Sequence, residues 1–230
     1  KNIEIFDAII CSDDQITKKV LDKAKRLKVI SKWGTGVDSI DINYAQKKGI
    51  KIYNSPGVFS ESVASLTWGM ILNLSRKIHK TDNLVRKGQW PKIQGVNIYG
   101  KILGVIGLGN IGKQIIKSGI GFGMKILGND IVKIDENFIN FNNVNMTDKE
   151  TLFKNSDVII LCVNLKKNNY DLINYYQFSL MKNQPIIINI SRGSVINEKA
   201  LIDALENKII SGAGLDVFTE EPLSIKNKLF

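Results

Sequence analysis

The chain has 230 residues, 43% of them apolar and 23% charged, proportions that exclude wholesale disorder and allow one large domain or two modest ones. Its apolar runs have strand length, well short of the roughly 18–20 residues that span a bilayer, and its two cysteines are too few for a disulfide framework and lack metal-ligand spacing. The formal charge is +10, concentrated in residues 1–100; this suits an anionic small molecule better than nucleic acid, because no RNA-binding, zinc-finger or helix-turn-helix signature accompanies it. The first residues hold no signal-peptide apolar region, and Cys11 and Cys162 both lie in apolar runs, so a reduced, cytoplasmic protein without a membrane partner is expected. A chain that starts at Lys1 and stops at Phe230 without a polar tail reads as a fragment or a trimmed product.

Strands and helices alternate from the start. Ile5–Cys11 reads as a strand, Asp13–Leu27 as a helix with Ile16, Val20, Leu21, Ala24 and Leu27 on one face, and Lys28–Trp33 as a second strand. Gly34-Thr35-Gly36 is a loop, Asp41–Lys48 a short helix, Ile50–Tyr53 a third strand and Asn54–Gly57 a turn. From Ser60 to Arg86 the pattern predicts one long helix with a stripe of Val63, Leu66, Met70, Leu74 and Ile78. Gly88–Gly100 is the best linker. It divides the chain into residues 1–95 and residues 96–230.

Beyond Gly100 the predicted strands are Ile102–Ile106, Lys125–Gly128, Asp157–Val163, Pro185–Ile190 and Gly212–Val217, with a weak one near Phe141–Val144. Helices are predicted at Asn110–Ile120, Asp148–Lys154, Asn174–Met181 and Glu198–Asn207. Near-continuous apolar strands such as VIILCV and IIINI suit a parallel sheet covered on both faces. The fold class is therefore α/β, with a doubly wound parallel sheet.

Gly107-Leu108-Gly109-Asn110-Ile111-Gly112 is a GxGxxG run that follows an apolar strand and opens a helix. Asp130 lies 18 residues after Gly112, at the end of the next strand. This is the dinucleotide-binding fingerprint. The glycines admit the pyrophosphate to the backbone, the helix N-terminus offers free N–H groups, and the acid accepts ribose hydroxyls while repelling a 2′-phosphate. NAD is the cofactor this implies. A dehydrogenase, a methyltransferase and a non-catalytic NAD-binding module all remain open at this point.

Arg192 follows the apolar strand Pro185–Ile190 in a chain with only four arginines. Loops past the carboxyl ends of parallel strands bind ligands, and a guanidinium offers the two-pronged grip on a carboxylate that lysine lacks. Asp216, at the end of the next strand, and Glu221, before Pro222, are acids at the same sheet edge.

The motifs KWGTGVDSI (Lys32–Ile40), NSPG, GLGNIG, SDVIIL, NISRGSV and GAGLDVFTEEPL run in one order over nearly the whole chain. In them the chain resembles the D-isomer-specific 2-hydroxyacid dehydrogenase family, its phosphoglycerate members most of all. The resemblance implies a Rossmann NAD domain over residues 96–230 and a smaller, incomplete flavodoxin-like substrate domain over residues 1–95, with substrate between them. It implies hydride transfer between NAD and a D-2-hydroxy or 2-oxo acid, 3-phosphoglycerate among the candidates, in a homodimer or larger homo-oligomer.

Carried over residue by residue, the resemblance makes Arg192 the catalytic arginine and Glu221 the partner of a catalytic histidine. Asp216 becomes the acid on the nicotinamide carboxamide. Thr35, Gly107, Gly109, Asn110, Ile111, Gly112, Asp130, Ile190 and Arg192 become cofactor contacts, and Lys32, Gly34, Thr35, Gly36 and Arg192 substrate contacts. No metal is implied. Asn110 stands where many members have arginine, and Ser65 where many have an acid.

The chain's one histidine, His79, lies on the long helix and matches no catalytic position. The base is expected outside these residues, and the chain alone is expected to be inactive. The alternative is a non-catalytic NAD-binding or regulatory module of the same fold. A relative of S-adenosylhomocysteine hydrolase is disfavoured by NISRGSV and LDVFTEEP.

Overall fold

The computed structural model describes residues 3–230, the side chain of Lys167 apart. Its contacts divide the chain into two compact units, Lys1–Phe59 and Ser60–Phe230.

The smaller unit carries a parallel sheet of three strands in the order β1-β2-β3, with β1 at Ala8–Cys11, β2 at Val29–Lys32 and β3 at Lys51–Tyr53. Helices α1 (Lys18–Lys23) and α2 (Ile42–Lys47) connect them. Leu21, Ala24, Ile30, Ile40, Ala45 and Ile50 form the core. The helix expected over Asp13–Leu27 is thus only six residues long. Its first part is drawn into a parallel bridge, Ile16 with Ile40, in which Ile16 N–H donates to Ser39 and Ile16 C=O accepts from Asp41. The bridge holds the backbone extended as far as Thr17, the N-cap. The start of the strand expected at Ile5 is instead a 3₁₀ turn, Ile3–Ile5.

In the larger unit, α3 (Ser60–Arg76) and α4 (Ile78–Arg86) replace the single long helix. Lys77 between them is left-handed, at φ 55°. Asn73 Oδ1 accepts the His79 N–H at 2.8 Å, a side-chain acceptor that competes with continuation of the helix and starts a new one.

The most buried face of α3 is Ala64, Thr67, Trp68, Ile71 and Ser75; of the expected stripe Met70 and Leu74 pack against the core, whereas Leu66 is 45% exposed. Trp68 Nε1–H donates to the Ile115 carbonyl at 3.3 Å, and its ring stacks on Phe122 with centroids 4.6 Å apart. Both α3 and α4 therefore belong by packing to the larger unit. The division falls at Phe59/Ser60, earlier than the linker near residue 95.

Six parallel strands follow: β4 (Ile102–Ile106), β5 (Lys125–Asn129), β6 (Val144–Met146), β7 (Val158–Leu161), β8 (Ile186–Asn189) and β9 (Gly212–Leu215). Their order is β6-β5-β4-β7-β8-β9, the doubly wound order in which the chain reverses direction between β4 and β7. Alternate residues feed two cores. Val158 and Ile160 face Trp68, Ile71, Ile115 and Ile116 on one side. Ile159 and Leu161 face Leu152, Phe153, Phe178 and Leu201 on the other. Each such side chain contributes about 1.5–3 kcal/mol by leaving water.

The covering helices are α5 (Asn110–Gly121), α6 (Glu136–Phe141), α7 (Lys149–Asn155), α8 (Tyr175–Leu180) and α9 (Glu198–Glu206). Of these, α6 was not expected, and the weak strand placed at Phe141–Val144 lies instead at Val144–Met146. The helix carried a readable start signal: Asp135 accepts the Asn137 N–H as N-cap, and Glu136 follows. Among the described residues no helix is long and apolar enough to cross a membrane.

Candidate active site

The loop between β4 and α5 lies at the reversal point of the larger sheet. Gly107 has φ +97°, and a Cβ there would lie 2.4 Å from the Cys162 carbonyl oxygen, so the turn needs glycine for its conformation and for its closeness to β7. A Cβ on Gly112 would lie 2.1 Å from the Gly107 carbonyl oxygen, so that glycine lets α5 sit against its own loop. A Cβ on Gly109 meets nothing within 4 Å. The middle glycine thus borders open space at the start of α5, where no side chain caps the helix. That open space and those N–H groups are what a pyrophosphate requires, so the residues present fit a dinucleotide.

Ile111 packs on the core, which leaves Asn110, exposed, as the first polar side chain of the helix. Asp130 follows β5 and is gripped from two sides. Its Oδ2 accepts the Leu108 N–H at 2.6 Å and its Oδ1 the Val132 N–H at 3.0 Å. These bonds pin the carboxylate against the glycine loop. Cys162, across the loop, has its thiol pushed up to about 12, by burial first and the Asp130 charge second; it stays a neutral thiol.

After β8, Asn189 organises the next loop. Its Oδ1 accepts the Ser191 N–H at 3.0 Å and its Nδ2 donates to the Arg192 carbonyl at 2.9 Å. Ser191 Oγ accepts the Val163 N–H at 2.9 Å, which joins this loop to the one after β7. Ile190 is half-buried on the core. The Arg192 guanidinium donates from Nη1 to the Ser191 carbonyl at 2.7 Å. A Cβ on Gly193 would lie 1.9 Å from the Phe218 carbonyl carbon, so the loops after β8 and β9 touch backbone to backbone. In the second of these loops Asp216 is exposed, its N–H donating to the Asn189 carbonyl at 3.1 Å. Glu221 Oε1 accepts the Phe218 N–H at 2.8 Å. Glycine loop, Asp130, Arg192, Asp216 and Glu221 thus all stand past the carboxyl ends of strands in one sheet.

Within the smaller unit, the loops after β2 and β3 are tied together. Ser55 N–H donates to Gly34 C=O at 3.0 Å, Asn54 Nδ2 to Thr35 C=O at 2.8 Å, and Thr35 Oγ1 to Ser55 C=O at 3.3 Å. Gly36 is half-buried beside them. Lys32 is buried, and its ammonium donates to the Ser12 carbonyl and lies 3.5 Å from Asp13 Oδ1. To meet a ligand it would have to leave those partners. His79, exposed on α4, has Nδ1 3.2 Å from Asn73 Oδ1. Among the described residues no group of three or more His, Cys, Asp or Glu could hold a metal ion.

Residues 68–230 match the family model described as D-isomer specific 2-hydroxyacid dehydrogenase, NAD binding domain. A glyoxylate reductase of Thermofilum pendens is 40% identical over 230 residues, spanning 97% of this chain and 68% of its own length. The chain belongs to the D-isomer-specific 2-hydroxyacid dehydrogenase family.

This dehydrogenase also matches a D-3-phosphoglycerate dehydrogenase of Methanocaldococcus jannaschii, 41% identical over 216 residues, or 93% of this chain and 41% of the relative. Among solved structures, a D-lactate dehydrogenase from Aquifex aeolicus, complexed with NAD and lactic acid, superposes with a TM-score of 0.88 at 37% identity, covering 95% of this chain and 66% of that one. The activity is thus that of an NAD-dependent oxidoreductase of 2-hydroxy acids, as the sequence motifs implied. The named activities of these relatives differ while two of them match at 40% and 41%, so overall similarity does not single out one acid. In the dehydrogenase's own loops, sequence reasoning passed over Asn189 and Ser191. Their signal was small polar residues at a strand end, directly before the one arginine of the larger sheet's loops.

Proposed function

We propose that Arg192 binds the substrate carboxylate and polarises the C2 oxygen of a D-2-hydroxy or 2-oxo acid. NAD, when bound there, would supply the hydride acceptor or donor for C2. The observation that supports this reading is the common edge: the open Gly109 face, the pinned Asp130 carboxylate and the Arg192 loop follow three strands of one sheet, β4, β5 and β8. Gly107, Gly109, Asn110, Ile111 and Gly112 border the pyrophosphate, Asp130 takes the adenosine ribose, and Ile190 and Asp216 face the nicotinamide end.

In the smaller unit, taken by itself, the Gly34-Thr35-Gly36 loop has backbone N–H groups suited to a carboxylate, and Lys32 is a cation suited to an anion. Oxidation of the alcohol also needs a base with a pKa near neutrality. Glu221, its Oε1 already holding a backbone N–H, orients that base; His79, tied to Asn73, does not serve as it. We further place the protein in the cytoplasm, in keeping with its two free thiols, and as a homo-oligomer, in keeping with the exposed Trp90 and Tyr99.

The test is an assay of the native protein with NADH and a panel of 2-oxo acids (glyoxylate, pyruvate, hydroxypyruvate and its 3-phosphate), with the product's configuration determined by chiral separation. D-configured product from the chiral substrates supports the reading. L-product contradicts it.

A further inference from the structure

Two lysines near the ribose end of the cofactor site are both engaged by α6. Lys133, three residues after Asp130, has its Nζ 2.8 Å from Glu136 Oε1. Lys113, in the first turn of α5, has its Nζ 5.2 Å from the centre of the Phe138 ring. The residues between Asp130 and Lys133 are Ile131 and Val132, exposed and uncharged. The backbone there curls about the carboxylate, because Asp130 Oδ1 accepts the Val132 N–H. Three residues span at most about 10 Å, a distance that the flexible four-carbon stem of lysine brings within reach. Lys133 is therefore a cation within reach of a 2′-phosphate at Asp130.

We propose that Glu136 is a cofactor-selecting residue. Its carboxylate holds the Lys133 ammonium away from the ribose, so that Asp130 repels a 2′-phosphate without opposition. Selectivity for NAD over NADP then rests on a repelling acid and on a second acid that occupies the neighbouring cation. The inference rests on the placement of Asp130 at the adenosine ribose. The Lys133–Glu136 pair is exposed, 83% and 72% by side chain, so its effect is modest and sensitive to salt.

The experiment is calorimetric titration of NAD and NADP into the chain at low salt, for wild type, Glu136→Gln, Lys133→Ala and the double variant. Glu136→Gln is expected to tighten NADP about two- to fivefold, the reach of an exposed ion pair, and to leave NAD unchanged. The double variant should bind NADP no better than Lys133→Ala alone. An unchanged NADP affinity in Glu136→Gln overturns the proposal. So does an equal gain in the Lys133→Ala background, which would show that the lost negative charge acts by itself. Should wild type and Asp130→Asn both bind NAD and NADP equally, the placement of Asp130 fails, and the proposal fails with it.

Discussion

Three glycines in one loop do three different physical jobs, and substitution separates them. Gly112→Ala pushes a methyl to 2.1 Å from the Gly107 carbonyl oxygen, so it should cost about 1–3 kcal/mol of stability and damage NAD binding. Gly109→Ala meets no protein atom within 4 Å. Its stability cost should be under about 1 kcal/mol, while its methyl enters the space assigned to the pyrophosphate and raises the NAD Kd by roughly tenfold or more. Thermal melts beside NAD titrations check the split; equal losses of stability would contradict it. Arg192→Lys keeps the charge and loses the fork, so in the active protein kcat/KM should fall by roughly 10²-fold, about 3 kcal/mol of transition-state stabilisation, with NAD affinity little changed. Near-normal turnover would remove Arg192 from the chemistry. Cys162, with its thiol held up to about 12 by burial and the Asp130 charge, should resist alkylation at pH 8 in the folded protein. The unfolded thiol ionises above the ordinary value of 9.0. Rising pH beyond that point therefore favours unfolding, and Cys162→Ala should flatten the alkaline loss of stability.

At the scale of elements, what was legible depended on whether local pattern or tertiary partner set the boundary. The central strands β7 and β8 are apolar on both faces, so their runs VIILCV and IIINI announce them. GLGNIG marks the start of α5 because Gly107 needs its positive φ and Gly112 sits against the Gly107 carbonyl. The breaks were not legible. Lys77 ends α3 because Asn73 caps the next helix, and Ile16 is extended because Ser39 and Asp41 bond it; neither is a matter of periodicity. Of the α3 stripe, Met70 and Leu74 do pack on the core, while Ala64, Thr67 and Trp68 take the place expected of Leu66. At the site, Arg192 and Asp130 were readable from strand ends, but the Leu108 N–H that grips Asp130 belongs to the backbone and has no sequence signature. Trp68→Ala should destabilise the larger unit by about 3–5 kcal/mol. A chain starting at Ser60 should melt cooperatively and bind NAD, whereas one starting at residue 96 lacks α3 against α5, β8 and β9 and should do neither. Cooperative folding of the shorter chain, followed by circular dichroism, would show that α3 is not part of that core.

The molecule as a whole carries a dinucleotide site in its larger unit and, as a separate unit, a small three-stranded sheet. Gly109, Asp130, Arg192, Asp216 and Glu221 are all held by its own loops, so NAD recognition should be complete within the 230 residues. Hydride transfer asks for more. A hydroxyl proton needs an acceptor near neutrality, and the one histidine present is on α4 with Asn73. A lone carboxylate such as Glu221 is a weak base for an alcohol proton. The most direct test is a single fluorescence experiment on the 230-residue chain, in which NADH is titrated to saturation and glyoxylate or hydroxypyruvate is then added. Saturable NADH binding followed by a stable signal is the predicted result. Sustained NADH oxidation would show that the base lies among these residues after all, and failure to bind NADH would contradict the assignment of the glycine loop and Asp130.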